Sequence, residues 1–325
     1  RTDAASGNIT IGNGGAVELL AGGTRAYSQI GHGGATASSA NAGVKTGNVS
    51  LLDSTSITMR GGTGLDSYVQ FGHGGNENLG DATGNVAAVT TGAFELTAGT
   101  STDAYAQFGH GGHLADGNFG GAGQLISLVA DAIDINGGTG GSGGGYAQVG
   151  HGGHNTDGDF TADILVNFNG VAPIPATGAL TMDAGGSSDA YTQIGHGGAN
   201  TGGEANTKVG NVIIGSVASA TLTGGGGVDA FTQIGNGGDD NDGDASGNVA
   251  LLSAGQVQLN GGTNTDTYVL VGNGGHDITG NIGQAGEATV VIGNGIDLNS
   301  GSNSRAFTQI GAGGYNVGGT IINET

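Results

Sequence analysis

The chain has 325 residues, of which 76 are Gly and only 2 are Pro, which excludes collagen, where Gly nears one third and Pro is abundant. Lys+Arg 6 against Asp+Glu 27 gives a net charge of −21, which disfavours nucleic acid and anionic lipid surfaces as partners. With Cys 0 there is no disulfide framework and no thiolate metal site, and no apolar run reaches the roughly 18 residues of a membrane span.

The opening Arg1-Thr2-Asp3 has neither a Met nor a signal peptide, so a mature chain or a piece of a longer one is expected. The sequence reads as one repeat domain over 1–325, in eight units of about 40 residues. They run approximately 7–46, 47–83, 84–122, 123–159, 160–209, 210–246, 247–285 and 286–325.

Each unit opens with a short apolar stretch, often after Gly-Asn: GNITI at 7–11, GNVSLL at 47–52, GNVAAV at 84–89, GNVII at 210–214 and GNVALL at 247–252. Next comes an apolar pair at i and i+2: Val17/Leu19, Ile57/Met59, Phe94/Leu96, Ile133/Ile135, Leu180/Met182, Ala220/Leu222, Val257/Leu259 and Ile296/Leu298. A period of two predicts a strand. Met59 precedes Tyr68 by 9 residues, and six of the eight units keep that offset.

The third element is a recurring phrase, from YSQIGHGG at 27–34 to FTQIGAGG at 307–314. Its aromatic is Tyr27, Tyr68, Tyr105, Tyr146, Tyr191, Phe231, Tyr268 and Phe307. Two residues later stands Gln29, Gln70, Gln107, Gln148, Gln193, Gln233 and Gln309, interrupted by Leu270. Three strands per unit, with no helical period, predict an all-β, right-handed parallel β-helix of about eight coils. A propeller is the rival, but its blades need four strands and hairpin turns.

In such a solenoid equivalent residues stack. Ile30, Phe71, Phe108 and their counterparts are expected to face the coil interior, which puts the aromatic and Gln on the opposite face. Eight aromatics do not belong in water, so a cover is expected: the segment after each G-x-G-G folding back, or a second chain. The amides are expected to staple coil to coil. G-x-G-G is expected to form a turn needing positive φ or close backbone approach.

The x position holds His32, His73, His110, His151 and His196, then Asn236, Asn273 and Ala312. Replacement by Asn and Ala points to polar turn capping rather than metal ligation. His113, His154 and His276 directly follow a G-x-G-G. Two residues before the aromatic stand Arg25, Asp66, Asp103, Gly144, Asp189, Asp229, Asp266 and Arg305. Stacked carboxylates repel, so they face water, accept backbone N–H bonds, or hold a cation. Calcium at Asp66, Asp103, Asp189, Asp229 and Asp266 is the ion considered, with Arg25–Asp66 and Arg305–Asp266 pairing at the ends of the run. The loop DDNDGD at 239–244 is a further loose calcium candidate.

No catalytic residue is expected. The six basic residues are dispersed, there is no Trp to stack a sugar, and no acid pair stands out.

The GNVSLL-type and GAVELLAGG-type strands, in a Gly-rich Cys-free repeat, resemble the shafts of filamentous-haemagglutinin-like exoproteins, large bacterial surface adhesins exported by two-partner secretion. The resemblance covers all eight units and implies an extracellular, cell-surface β-solenoid. It implies a structural role as adhesin shaft, with a host or surface glycan as a partner; the first unit (7–34) and the last (281–314) keep the internal strand pattern without a cap, so end-to-end assembly of copies into a filament is also expected. The family's N-terminal secretion domain is not identifiable here. GGTGLDSYV at 61–69 and GGGGVDAFT at 224–232 resemble the calcium nonapeptide of RTX repeats, although here they are not in tandem. Two alternatives therefore stand beside the shaft: a calcium-stabilised secreted repeat domain, and a polysaccharide-active β-helix enzyme. The final GGTIINET at 318–325 reads like the opening strand of a further unit, akin to GNITI.

Overall fold

The computed structural model describes residues 4–35, 43–140, 143–202 and 206–322. Among them every regular element is a strand and every strand–strand pairing is parallel. The chain is a parallel β-solenoid. The apolar i, i+2 pairs form an eight-stranded sheet, from Ala16–Leu20 to Gly295–Asn299, and the aromatic strands form a second, from Tyr27–Ile30 to Phe307–Ile310. Eight stacked strands make seven full turns from first to last. The opening stretches build a third sheet, which includes Ile9–Gly12, Val49–Ser54, Val86–Thr90 and Val249–Ser253.

Register follows the repeat. Tyr105 pairs with Tyr68, Gln107 with Gln70 and Phe108 with Phe71. The same alignment recurs from Tyr27↔Tyr68 to Tyr268↔Phe307. One face of each sheet turns inward to a single apolar core, where Leu51, Ile57, Met59, Val69 and Phe71 of one coil meet. Period two lets each strand send alternate residues there, and stacking hides what one coil leaves open.

The three expected strands per coil are present, and a fourth joins them. A fourth sheet runs through Gly152–His154, Gly197–Thr201, Gly237–Asn241, Gly274–Ile278 and Gly313–Tyr315. In earlier coils the bridges Gly33↔Gly74 and Gly74↔Gly111 continue the same column. G-x-G-G is thus both turn and strand. Gly74 has φ +116, and a Cβ there would lie 2.2 Å from the carbonyl oxygen of Gly111. Both expected reasons for glycine, positive φ and close approach, hold at this residue.

The fourth sheet also supplies the cover for the aromatic face. The segment after G-x-G-G folds back over it, enclosing a second core around Tyr68, Tyr105, Tyr146, Tyr191, Phe231, Tyr268 and Leu270. The first unit's part of this cover, residues 36–42, lies outside the described residues. Ring centroids of successive aromatics are 4.8 to 5.0 Å apart and the rings stack nearly parallel, as in Tyr68–Tyr105 and Tyr268–Phe307. A third, smaller core joins Ala82, Ala115, Phe119 and Phe160 under the returning loops.

The GGTIINET reading also shifts. Ile321 bridges Ile282, which bridges Ala245, so this stretch takes the place of Ala5–Ser6 rather than of the GNITI strand. Asn323–Thr325, like Arg1–Asp3, lie outside the described residues.

Candidate functional site at the aspartate seam

The turn before each aromatic strand has a left-handed residue. φ is 55 at Asp66, 54 at Asp103, 52 at Asp189, 57 at Asp229 and 60 at Asp266, with Arg25 and Arg305 at 57 and 58. Asp tolerates this region better than most side chains, which accounts for its recurrence. The backbone therefore fixes where the carboxylates start. Their direction follows from the fold-back.

The residue after each G-x-G-G stands across the mouth of the second core from the turn. Asp103 and His113, Asp229 and Asp239, Asp266 and His276 are each 10 residues apart. That length runs along the aromatic strand, around G-x-G-G and back. Two columns face each other as a result. One carries the turn aspartates and the other carries Asn76, His113, His154, Ala199, Asp239, His276 and Tyr315. Pairing of His154 with Ala199, Ala199 with Asp239, Asp239 with His276 and His276 with Tyr315 sets the second column's register.

Two clusters result. In one, Asp103 Oδ1 lies 3.2 Å from His154 Nδ1 and 3.6 Å from His113 Nε2. The two imidazoles stack with centroids 5.3 Å apart. In the other, Asp266 Oδ1 lies 3.3 Å from His276 Nε2, and Asp229 completes the group. His276 Nδ1 donates to Asp239 Oδ1 at 2.7 Å. Each cluster brings three ligand atoms within 4.8 Å of one another.

Burial shapes the electrostatics. It opposes ionisation of Asp103, but the His154 hydrogen bond and the His113 charge outweigh it and hold that carboxyl below its usual range. Burial pushes Asp239 up to about 6 against the pull of His276. Asp229 is raised by burial and then by Asp189 and Asp266. Burial lowers His113, whereas at His276 the Asp239 bond and charge overcome burial and raise the imidazole.

The remaining expected residues sort clearly. Asp66 Oδ2 takes Arg25 Nε at 3.4 Å, and Asp266 Oδ2 takes the Arg305 guanidinium, so both end pairings form. Asp189 belongs to neither cluster. From Tyr68 to Tyr268 the ladder aromatics and amides are core residues, whereas in the first and last coils Tyr27 is exposed and Gln29, Phe307 and Gln309 are half-buried. Gln70 Nε2 donates to Gly109 O at 3.2 Å and Gly111 O at 3.1 Å, and also reaches Gln107 Oε1 at 3.4 Å. The amides therefore fasten mainly the glycine carbonyls of the next coil.

The ladder histidines are capping groups, and His73, His110, His151 and His196 are buried rather than on a turn surface, with His32 of the first coil half-buried. The backbone N–H of His73 donates to His110 Nδ1 at 2.9 Å, and His110 Nε2 contacts Gly84 O at 3.0 Å. Asn236 reproduces the pattern, with Oδ1 accepting from His196 N–H and Nδ2 donating to Gly210 O. The sequence reading does not pair His113, His154 and His276 with the aspartates. The constant 10-residue offset is the signal that could have done so.

No protein-family model matches the chain, and neither does any curated protein or solved structure.

Proposed function

We propose that this chain is a structural rod: a stretch of extracellular, right-handed β-solenoid that serves as the shaft of a bacterial cell-surface adhesin or stacks end to end as a filament subunit. The observation that carries the reading is the uninterrupted register of both eight-stranded sheets. The first and last described coils repeat the internal pattern, and they leave apolar positions open that the middle coils cover. Ile296 and Leu298 are 42% and 44% exposed, whereas Val257 and Leu259, one coil earlier, are at 0%. A further coil laid on that edge would bury them and pair the free strand groups.

At the ~4.8 Å spacing of paired strands, eight coils make a rod of roughly 40 Å. On this reading the chain has no catalytic role, and its partners are copies of the same repeat and a surface glycan. Electron microscopy of the native material tests it: rods longer than one chain are expected. Mass measurement of the denatured native protein distinguishes the two forms. A species near 31 kDa indicates a filament of subunits, and one of several times that mass indicates a longer shaft. Globular particles of one chain overturn both.

A further inference from the structure

The solenoid needs only one property of the turn residue, tolerance of a left-handed backbone, and Asn or Gly would serve. Nor does it need imidazoles in the facing column, where Ala199 stands in one coil. The meeting of the two types at two points is therefore unexplained by the fold.

We propose that the seam binds divalent transition-metal ions of the zinc class at two sites, one formed by Asp103, His113 and His154 and the other by Asp229, Asp266 and His276. Neither site is part of the rod reading, and neither depends on it.

Four observations carry the proposal. The first is distance. Ligands at about 2.0–2.1 Å from a tetrahedral ion stand roughly 3.4 Å from one another. The seam places Asp103 Oδ1 at 3.2 and 3.6 Å from its two imidazole nitrogens, and Asp266 Oδ1 at 3.3 Å from His276 Nε2. The second is unpartnered buried atoms. Asp266 Oδ1 is buried without a hydrogen-bond partner, on a side chain only 6% exposed; at the first site the unpartnered nitrogen is His113 Nδ1, which lies 3.9 Å from Asp66 Oδ1 while Nε2 faces Asp103. Arg305 occupies the other oxygen of Asp266, so Oδ1 is left facing the imidazole.

The third is orientation from behind. His276 Nδ1 lies 2.7 Å from Asp239 Oδ1, and a neutral ring that donates Nδ1–H there turns its Nε2 lone pair on Asp266 Oδ1, where a protonated ring presents N–H. Two acceptors facing each other require a proton or a metal ion between them. A carboxylate behind a ligating imidazole is the usual support of a metal-bound histidine. In the other site Asn200 Nδ2 lies 3.2 Å from His154 Nε2, on the far side of the ring from Asp103. As an amide nitrogen it donates there and leaves the ring proton on Nδ1, so an ion at Nδ1 requires the Asn200 amide to turn its oxygen to Nε2.

The fourth is room. Gly144 is the one turn position that carries neither Asp nor Arg, and a Cβ on it would lie 2.0 Å from Asp103 Oδ1 and 2.7 Å from His154 Nδ1. A side chain there would close the first site. By contrast, the ladder histidines His73 and His110 already engage both ring nitrogens with backbone.

Imidazole donors set the class of ion. Calcium and magnesium prefer all-oxygen shells, while imidazole with carboxylate suits zinc and its neighbours. Each site draws on two adjacent coils, so an ion would clamp one coil to the next and leave a fourth position for water.

The test uses the whole chain, stripped with chelator and titrated with Zn²⁺ alone by calorimetry, and with Co²⁺ followed by visible absorption. Two equivalents of Zn²⁺ are expected, with Co²⁺ bands of a four-coordinate N/O site and a raised Tm. His154→Gln should lose one equivalent and His276→Gln the other, each with an unchanged β-sheet circular dichroism spectrum. If either fails to fold, Asp103→Asn and Asp229→Asn, which keep side-chain size, replace them. Absence of Zn²⁺ binding tighter than about 10 μM overturns the proposal. So does binding of both equivalents in every variant, or Ca²⁺ binding at the same residues in place of Zn²⁺.

Discussion

At the x position of G-x-G-G an imidazole and a carboxamide are interchangeable, because each accepts a backbone N–H from one neighbouring coil and donates to a carbonyl beneath. The imidazole brings a titration that the amide lacks. Burial, the largest cause, lowers His73 and His196 to about 4 and His110 to about 3, so these rings stay neutral in the folded chain. Unfolded, each would titrate near its ordinary value of about 6.5. The unfolded chain therefore binds more protons between those limits. The stability the rings contribute is complete above about 6.5 and falls as pH drops toward 4 to 3. His110→Asn should keep the fold, as Asn236 does in its coil, and flatten this acid limb. Urea unfolding at pH 7 and pH 5 should lose about 2 kcal/mol of its pH difference in the variant. An unchanged difference would mean that His110 is protonated in the fold. The amide ladder makes a companion case. Gln107 Nε2 donates to Gly150 O, Gly152 O and His110 O at 3.3, 3.0 and 3.1 Å. Gln107→Leu copies the natural Leu270, yet should cost about 1–3 kcal/mol by denaturant titration, because it strips a donor from buried carbonyls.

Strands with side chains are readable in the sequence and the strand without them is not. Ile57/Met59 and Phe94/Leu96 announce a period of two because their alternation leaves an apolar trace. G-x-G-G leaves none. Three glycines carry no side chains to alternate, and extended backbone at positive φ looks like turn in a one-dimensional reading. That is why the fourth sheet escapes detection while the three others, their register and the two-sided burial of the aromatic strand do not. The seam is half legible for a related reason. Its aspartates repeat in the turn, but their histidine partners come from the column that the unseen strand positions. Glycine is a close-approach requirement here as well as a conformational one. Gly111 has φ +117, and a Cβ would meet Gly152 O at 2.2 Å. Gly111→Ala should therefore cost at least about 3 kcal/mol, from strain and from displacing a neighbouring coil. Gly123, in the long strand Phe119–Val129, also has positive φ, at +78, but nothing stands within 4 Å of its Cβ position. Gly123→Ala should incur only the backbone strain, about 1–3 kcal/mol. Equal losses of Tm in the two variants would remove the close-approach argument.

The rod as a whole is decided at its edges. In a parallel sheet the N–H and C=O of one residue point to one neighbour, and those of the next residue point to the other. In the last aromatic strand, Phe307 N–H donates back to Thr267 O, and Gly311 N–H to Val271 O. Alternation then directs the backbone groups of Thr308 and Ile310 away from the preceding coil, toward the open edge. A following coil would accept them as every internal coil does. Its contact would be head-to-tail, which propagates as an open fibre instead of closing. Proline at position 308 would remove a donor that points away from the preceding coil and pairs with none of the described residues, and proline is compatible with an edge strand whose N–H faces outward. Thr308→Pro should therefore leave the monomer's circular dichroism unchanged and its Tm within a few degrees of the parent, while stopping growth at that end. Sedimentation velocity at high protein concentration reads the result. The parent should form species of increasing length and the variant should remain a single short rod. Equal growth in both would place the assembly contact elsewhere than the strand edge. A parent that stays monomeric under the same conditions would remove end-to-end stacking as the role of these repeats, and leave the shaft of a longer chain as the reading to test by native mass.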